Sequence, residues 1–109
     1  MSTLPDGPHS LAELATPADG AIVSRVLHKA RGGSATAFAF AEGEGLDEHS
    51  TPHEALLLVT DGVAEVSIDG VSYRVAAGHI LRLPASVPHA VRAMTAFQML
   101  LILLRDAWS

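Results

Sequence analysis

The sequence predicts an all-β domain whose antiparallel hairpins close into one small β structure. Three observations carry the prediction. Asp61-Gly62 and Asp69-Gly70 are two-residue hairpin signals set between alternating apolar runs. Read as hairpins, the two agree on which residues face inward. Three histidines, His49, His53 and His89, flank these runs, where a closed β structure would let neutral imidazoles converge.

Residues 1–20 read as an N-terminal arm and residues 21–109 as the β domain. The first nine residues carry Pro5, Gly7 and Pro8 and are expected to form a loose arm. Ser10 to Ala15 suits one turn of helix, with Ser10 as N-cap, Glu13 three residues on, and Pro17 as the stop. Ala21 to Ala30 is a first strand and Arg31-Gly32-Gly33 a turn. Ser34 to Ala41 alternates, with Thr36, Phe38 and Phe40 on one face and alanines on the other. Glu42 to Asp47 is a glycine-rich acidic connection.

A two-residue loop at Asp69-Gly70 pairs Ile68 with Val71, Val66 with Tyr73 and Ala64 with Val75. All six are apolar, so one face of this hairpin belongs to the core. The other face pairs Glu65 with Arg74 and Ser67 with Ser72, which suits solvent. A loop at Asp61-Gly62 would pair Val59 with Ala64, Leu57 with Val66 and Ala55 with Ile68. A one-residue slip would turn the whole apolar set outward, so the agreement constrains the register. Alternation carried backward from Ala55 puts His53, Thr51 and His49 on the inner face, with Pro52 a point where the strand can break. Downstream, Gly78 marks a turn, Ile80 to Leu83 a short strand, Pro84 to Pro88 a rigid corner, His89 to Ala93 a strand, and Phe97 to Leu104 the closing strand. The runs Leu56 to Val59 and Met99 to Leu104 are apolar on both faces, which predicts a further covering layer, most simply a second copy of the chain.

Composition narrows the function classes. A chain of 109 residues is one domain, and 49% of its residues are hydrophobic, which argues against disorder. Net charge is −5 with no basic run, which argues against nucleic acid and anionic membrane surfaces as partners. With no cysteine, disulfides and thiolate metal sites are excluded. The opening MSTLPDGPHS lacks the basic and apolar regions of a signal peptide. The apolar run Met99 to Leu104 is too short to span a bilayer. A cytoplasmic protein is expected.

Gly78, Pro84 and His89 stand at the spacing of the second motif of the cupin superfamily, with Ser86 in place of that motif's second glycine and Ala93 where asparagine is frequent. Counting back from Gly62, His49 falls on the first histidine of the first cupin motif, Thr51 on its second histidine, and Ala55 on its glutamate. The interval between Gly62 and Gly78 matches that of small bacterial cupins, and Phe97-Gln98-Met99-Leu100-Leu101 resembles their closing strand. Residues 43 to 104 thus resemble a small single-domain cupin. The resemblance implies a double-stranded β-helix, the RmlC-like jelly-roll barrel, preceded here by the short arm or helix.

It also implies a divalent metal, Zn, Ni, Fe or Mn, on histidines. Two of the usual four ligand positions are lost here, and His53, of the same inward parity, is the candidate replacement. The candidate metal set is therefore His49, His53 and His89, completed by water. On a straight strand His49 and His53 would lie about 13 Å apart, at the limit of sharing one ion, unless Pro52 curls the chain back. The alternative is a metal-free polar pocket in which the histidines bond to each other or to backbone. Thr51 and Tyr73 are candidate ligand-pocket residues; Tyr73 either donates a hydrogen bond or packs. Glu48 and Glu54 have the opposite parity and are expected in solvent or behind the histidines. Arg25, Arg82 and Arg92 are expected at the surface. The expected partners are a small organic molecule and a second copy of the chain. For function, an open metal site suits a small dioxygenase or isomerase, a metal-free pocket suits a non-catalytic binding or sensing module, and a degenerate barrel would serve as a scaffold.

Overall fold

In a computed structural model that describes residues 1–105, the chain forms nine strands and one short 3₁₀ turn, Leu11–Glu13. Residues 106–109, the end of the expected barrel domain, lie outside the described residues. The strands are β1 (Ile22–Ala30), β2 (Gly33–Phe40), β3 (Gly45–His49), β4 (Glu54–Asp61), β5 (Val63–Ile68), β6 (Val71–Ala76), β7 (Ile80–Leu83), β8 (His89–Ala93) and β9 (Phe97–Leu104). They build two antiparallel sheets, in the orders β1-β2-β9-β4-β7 and β3-β8-β5-β6. Strand β5 pairs with β6, β4 with β7, β3 with β8, and β2 with β9. That nesting is one long hairpin rolled into a barrel, which is a jelly roll.

The apex of the long hairpin is Asp69-Gly70. Both residues have positive φ, 51° and 80°, as a type I′ turn requires. The register around it is the one the alternation predicts: Ile68 opposite Val71, Val66 opposite Tyr73, Ala64 opposite Val75.

Asp61-Gly62 is not a hairpin. Strand β4 pairs with β7 and β9, whereas β5 pairs with β6 and β8, in the other sheet. The dipeptide is a corner at which the rolled hairpin passes from one sheet to the other, beside the Ala77-Gly78 corner; the Ala77 and Gly78 amides donate to the Gly62 and Val59 carbonyls. The expected partners of Leu57 and Val59 were therefore wrong, but their faces were right. A strand that turns such a corner keeps its inward parity, so Ala55, Leu57, Val59, Ala64 and Val66 are all buried.

The interior is filled from one end. Phe40 stacks on Phe97 with ring centres 4.6 Å apart, and Leu57, Val59, Val66 and Met99 are fully buried around them. Along the strands the inward residues open up in the other direction: Phe38, Ile68, Leu81, Leu101 and Leu103 pack on this core but are only half-buried. That open end is where the 50–53 connection, the 84–88 corner and the Asp69-Gly70 apex meet.

The arm is held, not loose. The Thr3 amide donates to the Leu27 carbonyl and the Lys29 amide to the Met1 carbonyl, with Ser2 bridged to His28. Edge strand β1 offers unpaired backbone groups, and the arm satisfies them. The expected helix is only a 3₁₀ turn, and the Ser10 side chain makes no capping bond. Leu14 and Ala15 instead bury themselves against Leu27, Ala37 and Ala39. Gln98 fixes this contact by donating its Nε2–H groups to the Ala12 and Ala15 carbonyls, at 3.1 and 2.6 Å. The alanine face of β2 is thus covered by the chain's own arm rather than by another subunit. Beyond the arm, the outward Leu56, Leu58 and Ile102 of β4 and β9 are only half-buried, and Ile80 of β7 is 59% exposed. No helix among the described residues is long and apolar enough to cross a membrane.

Candidate functional site

His49 is the last residue of β3 and His89 the first of β8, and they face each other across the ladder. Their ring centres are 4.5 Å apart, with the planes at 65°. His89 is only 7% exposed, while His49 is open to solvent. Three ties from the neighbouring loops hold the pair in place. The Ser86 amide donates to the Thr51 carbonyl at 2.6 Å, and the Asp69 amide to the Pro88 carbonyl at 2.8 Å. Glu54 forms the third: one carboxylate oxygen accepts from Arg82 at 3.0 Å and the other from the Ala85 amide. Glu54, expected in solvent or behind the histidines, and Arg82, expected at the surface, therefore join β4 to the corner that delivers His89. Ser86 adopts φ +62°, a left-handed conformation that explains why glycine is usual at this place in the motif.

Both imidazoles make the same local bond. His49 Nδ1 meets the Asp47 carbonyl at 2.9 Å, and His89 Nδ1 meets the Val87 carbonyl at 3.3 Å. A carbonyl only accepts, so each Nδ1 carries a proton, and in its neutral form each ring presents a bare Nε2 lone pair. Neither Nε2 has a partner among the described residues, and no buried side-chain nitrogen or oxygen there is left unpaired. The His89 Nε2 therefore keeps access to solvent at the open end of the barrel. Burial of the ring lowers the His89 pKa below 6.5, and the neighbouring His49 lowers it further, against the opposing pull of the Val87 carbonyl. His89 is thus a neutral acceptor at pH 7.

His53 does not join them. Strand β3 stops at His49 and β4 starts at Glu54, so residues 50–53 are a connection between sheets, and strand parity does not apply across it. His53 is half-buried there, its amide donating to Thr51 Oγ1 at 3.3 Å, while Thr51 Oγ1 donates to the His53 carbonyl at 3.1 Å. Thr51 thus shapes the loop beside the pair. Tyr73 is 43% exposed on edge strand β6, and β5 separates it from the strand of His89. Among the described residues no three His, Asp or Glu side chains are grouped to hold a metal ion. The protonated Nδ1 and bare Nε2 are the state a metal requires of histidine, but an open catalytic site uses three protein donors. The two assembled here do not complete one.

The comparisons with known proteins agree with this architecture. The family model of the cupin domain matches residues 37–104. A conserved protein of unknown function from Streptococcus pyogenes is 31% identical, with 97% of this chain and 93% of that one covered and a TM-score of 0.91. A cupin 2 conserved barrel domain protein from Leptotrichia buccalis is 39% identical over 86% of this chain, which spans 46% of its length, with a TM-score of 0.83. A cupin superfamily protein from Desulfitobacterium hafniense is 27% identical, with 94% of each chain covered and a TM-score of 0.88. Among curated proteins, none matches. The nested strand pairing, the motif residues Gly78, Pro84 and His89, and the family match over most of the barrel lead to one conclusion: the chain belongs to the cupin domain family.

Proposed function

We propose that this cupin binds a small organic molecule at the open end of its barrel, without catalysis and without a resident metal. One observation carries the reading: two imidazoles lie side by side with both Nδ1 groups committed to backbone carbonyls and both Nε2 lone pairs unused. Ile68 pairs with His89 and is half-buried beside it, and a few convergent polar groups set against apolar side chains are what small-molecule sites use. The test is a fragment screen read by NMR, with His49→Ala as control. Hits that lose affinity in the variant support the reading; hits that bind elsewhere and ignore the variant overturn it.

The second reading is a divalent metal, Zn, Ni, Fe or Mn, on His49, His89 and His53, which would supply Lewis-acid or O₂ chemistry for a dioxygenase or isomerase. The tautomer of both rings favours it. It requires His53 to leave its Thr51 turn and supply the third donor. Metal analysis decides: stoichiometric metal lost in His53→Ala would replace the first reading with this one.

The proposal includes a homodimer through the uncovered outer face of β4, β7 and β9. Leu56, Leu58 and Ile102 are half-buried there and Ile80 is exposed, an apolar patch of the kind a partner can cover. Sedimentation should give a dimer that Ile80→Glu dissociates. A monomeric wild type at micromolar concentration would remove this part.

A further inference from the structure

We infer that the ligand of this site is a small apolar molecule presenting two neutral hydrogen-bond donors on neighbouring atoms, the chemistry of a phenolic or aliphatic vicinal diol. The inference rests on the ligand-binding reading above and narrows it. Because the Asp47 and Val87 carbonyls fix the proton of each ring on Nδ1, the pair offers acceptors only. A carboxylate or phosphate brings further acceptors to these atoms and gains nothing from them. An ammonium has donors, but it would leave water beside the buried His89 ring and the half-buried Ile68 paired with it, and desolvating a charge there is costly without a counter-charge. A neutral donor pair meets both conditions.

Spacing and depth set the rest. Two acceptors on rings whose centres lie 4.5 Å apart suit hydroxyls on neighbouring carbon atoms rather than donors at opposite ends of a molecule. Below the pair the barrel is solid: Phe40, Phe97, Leu57 and Val66 are fully buried, so the ligand occupies only the upper half. A single ring or a short carbon frame, rather than a long molecule, is the ligand expected above that core, with its hydroxyls on the imidazoles.

The experiment is an NMR titration of the full chain with three probes of matched size: catechol, 1,2-dimethoxybenzene and benzoate. Catechol is expected to shift the His49 and His89 side-chain signals, and its affinity should fall about fivefold to tenfold in His49→Ala, the worth of one hydrogen bond. The dimethyl ether, an acceptor only, should bind more weakly than catechol. Since His89 is buried and its loss can compromise folding, the exposed His49 is the primary variant. Benzoate or the ether binding as tightly as catechol, with the same dependence on His49, overturns the donor-pair inference and leaves the binding site standing. No probe binding with any dependence on His49 at millimolar concentration overturns both. Catechol that binds only after metal is added would replace both with the metal reading.

Discussion

Replacing Gly62 and Gly70 by alanine, one at a time, tests the rolled topology against a simple chain of hairpins. Both glycines follow an aspartate and both have positive φ, 77° and 80°. If both were hairpin turns facing solvent, the two substitutions would cost the same. An alanine forced into the left-handed region costs about 1 kcal/mol, and at Gly70 that is the whole effect, because an added Cβ meets nothing within 4 Å. At Gly62 the same Cβ would crowd the Ala96 carbonyl and the backbone and Cβ of Phe97. Those atoms begin β9, and Phe97 is fully buried against Phe40, so they cannot move aside without disturbing the core. Overpacking of that kind adds about 1–3 kcal/mol. Gly62→Ala should therefore cost about 2–4 kcal/mol in total and Gly70→Ala about 1 kcal/mol. Urea denaturation followed by far-UV circular dichroism measures both. Equal losses in the two variants would refute the corner at Gly62 and with it the assignment of β4 and β5 to different sheets.

Three further outcomes follow from single residues. Ser86→Gly relieves a left-handed serine and should raise stability by about 0.5–1 kcal/mol in the same urea assay; a loss would mean that the serine side chain contributes a contact of its own. Gln98→Leu removes the donor that holds the Ala12 and Ala15 carbonyls, at a cost of about 1–3 kcal/mol, and limited proteolysis should then cut the arm first. Stability should also depend on pH through His89. Its folded pKa lies below 6.5, so on acidification the unfolded chain takes up the proton first and the unfolding free energy falls as pH drops below about 6.5. The contribution is complete above that pH and gone below the folded pKa. His89→Gln should abolish this part of the slope, and an unchanged slope would show that His89 is not responsible.

Much of this was legible in the sequence because inward parity survives rolling. Ala55, Leu57, Val59, Ala64 and Val66 were correctly placed inside although their strand partners were not, since Asp-Gly signals a reversal and a corner equally well and only the partner strands distinguish them. The Asp69-Gly70 register and the strands on either side of the Pro84 to Pro88 corner were readable for the same local reasons. The closeness of His49 and His89 was implied by the motif resemblance, and the structure adds the Nδ1 bonds that fix the tautomer. Parity failed at His53, where Pro52 lies in a connection between sheets and alternation has no meaning. It also misled at Tyr73, whose face is inward but whose strand is an edge. The arm was misread because a proline-rich segment has no periodicity of its own; its order comes from the unpaired edge of β1 and from Gln98, a polar residue in an apolar strand that was the one available clue. Glu54 was placed on the correct face, but its bonds to Arg82 and the Ala85 amide depend on a corner thirty residues away.

The central claim is that His49 and His89 together present two bare Nε2 acceptors at the open end of the barrel. Two-bond ¹H–¹⁵N correlation spectra of the imidazole side chains at neutral pH read this directly. For the neutral form of each ring the expected result is a proton on Nδ1 and an unprotonated Nε2. A proton on Nε2 of either neutral ring would contradict it, because the pair would then hold a donor and no longer offer the acceptor surface on which the binding site rests.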